Sequence, residues 1–139
     1  MRSTSDERDA RAHFEDRYRT RGNAAAAAVE LTVIGAVWGA NGYTTRDQAD
    51  ELAAHLRLGP GDWLLDIGTG RGWPALYLAQ TTGCRVVGTD LPVAALQSAS
   101  RRARRENVED RAALVVASGA TLPFRAGQFD AVVHTDVLC

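Results

Sequence analysis

The first 60 residues carry apolar positions at helical spacing, which predicts an N-terminal helical cap over 1–60. Ala24–Trp38 is a nearly continuous apolar run and predicts a buried helix. Before it, charges of both signs alternate, and Phe14 and Tyr18 lie four residues apart, as on one helical face. We expect the first ten or so residues to be loose.

A second helix is predicted behind Thr45. Thr45 and Gln48 have the spacing of a capping box, in which the hydroxyl and the amide side chain satisfy free backbone amides at a helix start. Gly59-Pro60-Gly61 is predicted to end this helix. Its apolar positions recur at helical spacing: Ala49, Leu52, Ala53 and Leu56.

From Trp63 onward, short apolar strands alternate with helices, and this order predicts an α/β fold with a parallel sheet flanked by helices over 61–139. The strands are nearly continuous in apolar residues, as expected for strands buried on both faces. The predicted elements are strands Trp63–Ile67, Arg85–Thr89, Ala113–Val116 and Phe129–His134, and helices Pro74–Gln80 and Pro92–Arg105.

Composition narrows the functional classes. The chain has 139 residues, of which 45% are hydrophobic and 24% charged, as in an ordinary soluble domain. A net charge of −1 provides no field that would attract nucleic acid or an anionic membrane. All 16 basic residues are arginine, which excludes a Schiff-base lysine and a P-loop lysine.

Other candidate sites are weaker. The cluster Arg101, Arg102, Arg104 and Arg105 is interpreted as stabilising a helix C-terminus, not as a nucleic-acid site. Neither the cysteines nor the histidines have metal-ligand spacing, so no metal site is predicted. The apolar run Ala24–Trp38 is shorter than a membrane span, and the N-terminus lacks the apolar core of a signal peptide. We therefore expect a cytoplasmic protein.

The segment that carries chemistry is a glycine-rich turn between the first predicted strand and the helix behind it. Glycines at 68, 70 and 72 leave bare main chain against which a ligand can lie. A dinucleotide-binding turn needs Gly-x-Gly-x-x-Gly, whereas the third glycine here comes one residue early and bulky Trp73 follows. Asp66 would repel a pyrophosphate and attract an ammonium group. The turn therefore predicts a nucleoside ligand with a positively charged amino-acid end.

Asp90 ends the second predicted strand, 20 residues after Gly70. An acidic side chain at that place accepts hydrogen bonds from ribose hydroxyls. This contact is common to NAD and S-adenosylmethionine, so Asp90 alone does not separate the two cofactors.

From Gly61 to its end, the chain resembles the class I S-adenosylmethionine-dependent methyltransferases, in particular the small-molecule, methyltransferase type 11-like branch. The resemblance rests on four elements in order: Asp66–Gly72, Asp90, Leu122-Pro-Phe124 and Phe129–Val133. It implies a Rossmann-like fold and S-adenosyl-L-methionine as the cofactor.

The resemblance also implies a set of cofactor contacts. The glycine turn would line the methionine part of the cofactor, with Asp66 near its ammonium group. Asp90 would hold the ribose, and Leu91 would pack on the adenine ring. Many relatives have an aspartate at the position of Ser118, and its carboxylate accepts a hydrogen bond from the adenine amino group. Serine is uncharged, so we expect a weaker hydrogen bond to adenine in this chain. The implied cofactor-binding residues are Asp66, Gly68, Thr69, Gly70, Gly72, Asp90, Leu91, Ser118, Gly119, Ala120 and His134.

The predicted reaction is methyl transfer to a small-molecule acceptor. His134, Asp136 and Tyr43 are candidate bases by position only, and no catalytic residue is assigned. The family sheet has seven strands, so we expect a truncated chain that ends after the fourth strand, with a homo-oligomer or a completing chain as its partner. Two alternatives stay open, a non-catalytic cofactor-binding or interaction module and an NAD(P)-dependent oxidoreductase.

Overall fold

The computed structural model describes residues 4–19 and 22–137. Within these ranges the chain forms five α-helices, a short 3-10 helix at Glu109–Arg111 and four β-strands. The helices are α1 (Ser5–Arg19), α2 (Ala24–Ile34), α3 (Arg46–Leu56), α4 (Ala75–Thr82) and α5 (Val93–Arg105). The strands are β1 (Trp63–Ile67), β2 (Arg85–Asp90), β3 (Ala112–Val116) and β4 (Ala131–Val133).

Helix α1 begins at Ser5, so the prediction that the first ten residues are loose is wrong for 5–10. A capping box starts the helix. The Glu7 backbone N–H donates to the Thr4 hydroxyl (3.2 Å), and the Thr4 N–H donates to Oε2 of Glu7 (3.1 Å). These two bonds satisfy amides that would otherwise be left free at the helix start.

Helix α2 ends four residues earlier than predicted and is not buried. Gly35 adopts a left-handed conformation (φ 80°), and its N–H donates to the carbonyl of Leu31, which terminates the helix at Ile34. Ile34 is the buried side chain of α2, whereas Val29 is 62% exposed. The apolar run thus reflects a helix with an exposed apolar side, not a core helix.

The capping box of α3 is confirmed, since Thr45 accepts from the Gln48 N–H and the Gln48 side chain accepts from the Thr45 N–H. Helix α3 packs against α4, while α1 packs against α5. The N-terminal helices therefore contact helices on the sheet. Arg57 takes a left-handed conformation and ends α3 just before the predicted Gly59-Pro60-Gly61.

All four strands are parallel, in the order β3-β2-β1-β4, which confirms the predicted parallel sheet. In the register, Asp66 of β1 lies opposite Gly88 of β2. The prediction of burial on both faces holds for β1 and β2 but not for the outer strands, where Val116 and Val132 are about half exposed. Strand β4 is half as long as the predicted Phe129–His134.

The core lies between the sheet and helices α3, α4 and α5. Leu64, Leu76 and Leu78 are fully buried there. Trp73 packs between Trp38 and Tyr77, with ring centroids 5.4 and 5.3 Å from its own, and it is buried, so this tryptophan is a core residue. Among the described residues, no helix combines the length and apolar character needed to cross a membrane.

Candidate functional site

The glycine turn is held at the carboxyl ends of β1 and β2 by backbone hydrogen bonds. The N–H groups of Gly68 and Thr69 both donate to the carbonyl of Thr89 (2.8 and 2.9 Å), and the Gly70 N–H donates to Oδ2 of Asp90 (2.8 Å). These bonds join the end of β1 to the end of β2. The structure thus brings Asp90 and the turn together, as the sequence predicted.

Two glycines of the turn lie where a side chain would meet a neighbouring helix. Gly70 has φ 55°, and a Cβ there would lie 2.8 Å from the Tyr18 hydroxyl oxygen. Gly72 has φ 92°, and a Cβ there would collide with the Leu76 side chain. The early third glycine therefore serves the packing of α4 against the turn, which needs close approach at that residue.

Asp66 is buried without a hydrogen-bond partner. Its residue exposure is 1%, and neither carboxylate oxygen reaches a partner within the described residues. Burial raises the pKa of Asp66 to about 7, with the nearby Thr69 hydroxyl opposing the shift and Asp90 adding to it. A buried carboxyl group of this kind fits a cationic group, since an ammonium would supply both the charge and the missing hydrogen bonds.

Asp90 is half-buried and already binds main chain through both oxygens. Oδ2 accepts from Gly70 N–H, and Oδ1 accepts from Leu91 N–H at 2.8 Å. Burial raises the pKa of Asp90, and these two backbone donors oppose the shift. Each carboxylate oxygen has a second lone pair, so Asp90 retains the capacity to accept from ribose hydroxyls.

The predicted adenine segment follows β3 and is linked to the N-terminal helix. The Ser118 hydroxyl accepts from the Ala120 N–H (3.2 Å) and donates to Oε1 of Glu7 (2.6 Å). Gly119 lies near Ile67 at the end of β1, since a Cβ on it would be 3.0 Å from the Ile67 side chain. Three consecutive strand ends thus carry the predicted residues along one edge of the sheet.

The segment after β4 is hydrogen-bonded to the loop before α3. His134 is exposed, and Asp136 accepts from the backbone N–H and the hydroxyl of Thr44 (3.1 and 2.8 Å). Asp136 is therefore anchored to the loop before α3. Val137 packs over Gly68, where a Cβ would collide with it.

Sequence reasoning missed the contribution of α1. Glu7, Glu15 and Tyr18 are the half-buried side chains of Ser5–Arg19, and the other side chains of that helix are exposed. The Tyr18 ring lies under Arg71 of the glycine turn, whose guanidinium carbon is 5.4 Å from the ring centroid. The spacing of Glu7, Glu15 and Tyr18 along one helical face is the signal that would have identified them.

Comparison with known proteins identifies relatives of the α/β region. A family model described as "Methyltransferase domain" matches residues 65–139. Erythromycin 3''-O-methyltransferase of Saccharopolyspora erythraea is 39% identical over 92 residues, which cover 66% of this chain and 30% of that protein. Ribosomal protein L11 methyltransferase of Thermus thermophilus is 41% identical over 90 residues, which cover 65% of this chain and 33% of that protein.

A solved structure of geranyl diphosphate methyltransferase in complex with S-adenosylmethionine matches with a TM-score of 0.64 and 29% identity. The match covers 84% of this chain and 45% of the other. Residues 61–139 are a smaller share of this chain than that, so the match extends into the first 60 residues. The Rossmann-like fold prediction is confirmed, and the bound molecule in that structure supports the predicted cofactor. The chain spans about a third of the length of the curated relatives described above.

Proposed function

We propose that this chain, which belongs to the methyltransferase domain family, binds S-adenosylmethionine at the carboxyl ends of β1, β2 and β3 and directs its methyl group to a small-molecule acceptor. The observation that carries the proposal is the buried, unpartnered carboxyl of Asp66 beside a glycine turn that is bonded to Asp90. This arrangement suits a ligand with an ammonium at one end and a ribose at the other.

Each group of the site has a physical role in this proposal. Asp66 holds the ammonium, Asp90 accepts from the ribose hydroxyls, and the turn around Gly70 lies against the ligand without side chains. When bound, the cofactor supplies an activated methyl group on a sulfonium, so the protein chiefly positions the reactants and excludes water. Leu91, half-buried directly after Asp90, is placed to pack on the adenine ring.

The acceptor is proposed to bind beyond the end of β4. An open cavity of about 440 Å³ lies there, large enough for a small organic molecule. Its lining is mainly polar: Tyr43, Thr44, Gln48, Glu51, Leu52, His55, Thr135 and Asp136. The imidazole and carboxylate groups are able to accept a proton from an acceptor hydroxyl, which a transfer to oxygen requires.

A small-molecule acceptor is favoured by relatives named for erythromycin and geranyl diphosphate, whereas the relative named for ribosomal protein L11 represents the opposite class. Incubation with methyl-labelled cofactor and a bacterial extract separates these outcomes. Label in the low-mass fraction supports the proposal, and label confined to protein contradicts it. The control is the same chain carrying Asp90→Asn, which is expected to transfer much less label at a cofactor concentration below saturation.

The cofactor assignment is tested by calorimetric titration with S-adenosylhomocysteine, with NAD as the competing candidate. Saturable binding of S-adenosylhomocysteine alone is expected, and Asp90→Asn is expected to weaken it at least about tenfold through loss of charge-assisted hydrogen bonds to the ribose. Asp130→Asn is the matched control, because this carboxylate bonds Trp63 N–H at the opposite edge of the sheet. Binding of NAD by a folded chain would instead favour the oxidoreductase alternative.

A further inference from the structure

Helix α1 is docked through polar side chains. None of the residues in Ser5–Arg19 is buried, and its half-buried side chains are Glu7, Glu15 and Tyr18. A helix normally docks by burying an apolar stripe. Two carboxylates and a phenol on the inward face are better suited to contact a polar ligand than to pack against a core.

The three side chains reach three consecutive strand ends. Glu7 contacts Ser118 after β3, Glu15 accepts from the Ala94 N–H at the start of the helix that follows β2 (3.2 Å), and Tyr18 lies against Gly70 after β1. The 11 residues from Glu7 to Tyr18 rise about 16 Å along the helix, whereas β1 and β3 are about 10 Å apart. Helix α1 therefore spans the whole edge at which the cofactor is proposed to bind.

The base of that cofactor is expected near Glu7. With the amino-acid end at Asp66 on β1 and the ribose at Asp90 on β2, an extended nucleoside places its adenine toward β3, where Ser118 follows. Adenine presents an amino group that donates hydrogen bonds. An acceptor is therefore needed at the end of β3.

Ser118 is a weak candidate for that acceptor, because its neutral hydroxyl already accepts from the Ala120 N–H and donates its proton to Oε1 of Glu7, which leaves one uncharged lone pair. Its bond instead fixes the carboxylate of Glu7 at this place. The second oxygen of Glu7 accepts from the Thr4 N–H, so both oxygens of this carboxylate are held near the end of β3, and a carboxylate accepts several hydrogen bonds at once.

We infer that Glu7 accepts the hydrogen bond of the adenine amino group, so that α1 recognises the base of the cofactor. This inference rests on the proposed cofactor function. Ser118 positions Glu7 in this arrangement, and the carboxylate that was expected to be missing from the strand end is provided by the N-terminal helix.

The test compares two ligands, S-adenosylhomocysteine and S-inosylhomocysteine, in which a carbonyl oxygen replaces the amino group. The wild-type chain is expected to prefer the adenine form by about tenfold to a hundredfold, the range of a charge-assisted hydrogen bond. Glu7→Gln is expected to weaken S-adenosylhomocysteine binding and to reduce this preference to within about threefold, since a glutamine amide also donates to a carbonyl. Glutamine at this position retains the capping box, so the helix start is preserved.

Two further variants separate recognition from general effects. Asp9→Asn removes the same charge from an exposed position two residues away on another helical face and is expected to keep the wild-type preference. The double variant Glu7→Gln with Ser118→Asp, which places a carboxylate directly on the strand end, is expected to restore the preference for adenine.

An unchanged preference in Glu7→Gln overturns the inference and leaves the cofactor site intact, provided that binding still depends on Asp90. If the folded wild-type chain binds neither ligand, the proposed cofactor function fails for this chain and the role of Glu7 fails with it. Circular dichroism at matched protein concentration verifies that each variant retains its helices.

Discussion

Replacing Asp66 with asparagine is expected to stabilise the unliganded chain in a pH-dependent manner. The native carboxyl keeps its proton up to a pKa of about 7, whereas the reference value for an exposed aspartate is 3.8. Between these two values the unfolded chain binds fewer protons than the native chain, so stability falls as pH rises. The contribution of Asp66 is fully present below pH 3.8 and is lost as pH rises through about 7. Asparagine has no such titration.

The magnitude follows from the shift. About three pKa units separate the two values, and each unit corresponds to 1.36 kcal/mol, which gives about 4 kcal/mol between pH 4 and pH 8. This is a large part of the 5–15 kcal/mol that stabilises typical domains. The free energy of unfolding of Asp66→Asn, relative to the wild type, should therefore increase by about that amount across this range.

Urea denaturation of both chains at several pH values measures this difference directly, because titrating groups common to both chains cancel. Asp130→Asn is the control for loss of one negative charge, since this side chain is exposed and bonds the Trp63 N–H at the other edge of the sheet. A stability difference between Asp66→Asn and wild type that stays constant from about pH 4 to about pH 8 would refute the reasoning.

Three other predictions follow from the same structure. Binding of S-adenosylhomocysteine near pH 7 should release about half a proton, because an ammonium beside a half-protonated Asp66 favours the ionised carboxylate. Calorimetry in two buffers of different ionisation enthalpy measures this release, and Asp66→Asn should abolish it. Gly72→Ala should destabilise the chain by about 1–3 kcal/mol in urea denaturation, because alanine must adopt φ 92° and its Cβ meets Leu76; an unchanged midpoint would contradict this packing role. Thr45→Ala should cost about 1 kcal/mol by the same measurement, because it removes the hydroxyl that accepts from the Gln48 N–H, and Thr45→Ser should recover most of the loss.

Much of the cofactor edge could be predicted because its determinants are local. The strand Trp63–Ile67 is apolar except for Asp66, and the glycines behind it have positive φ angles. The position of Asp90 beside the turn could also be predicted, because it ends the next strand and parallel strands present their carboxyl ends at one edge of the sheet. Short-range patterns of this kind are visible in any window of the sequence.

The parts that the sequence did not reveal depend on contacts between distant residues. Glu7 and Ser118 are 111 positions apart, and Glu15 and Ala94 are 79 positions apart. Hydrophobic periodicity does not report polar docking, so the first ten residues were predicted to be loose and the inward-facing carboxylates of α1 were not identified. The end of α2 was missed for a different reason: Gly35 lies inside an apolar run, where its left-handed cap was not distinguishable from a tolerated glycine.

Two features of the structure weaken the unliganded chain. A buried carboxyl without a partner at Asp66 costs stability, and a helix held by Glu7, Glu15 and Tyr18 gains little from apolar burial. Such departures from good packing in a natural protein are expected at functional sites, where a ligand completes the interactions. One ligand would account for both, because an ammonium at the end of β1 and an amino-bearing base at the end of β3 belong to the same molecule. Ligand binding should then strengthen the docking of α1 and ionise Asp66 in a single step, which couples the N-terminal helix to the buried acid across the edge of the sheet.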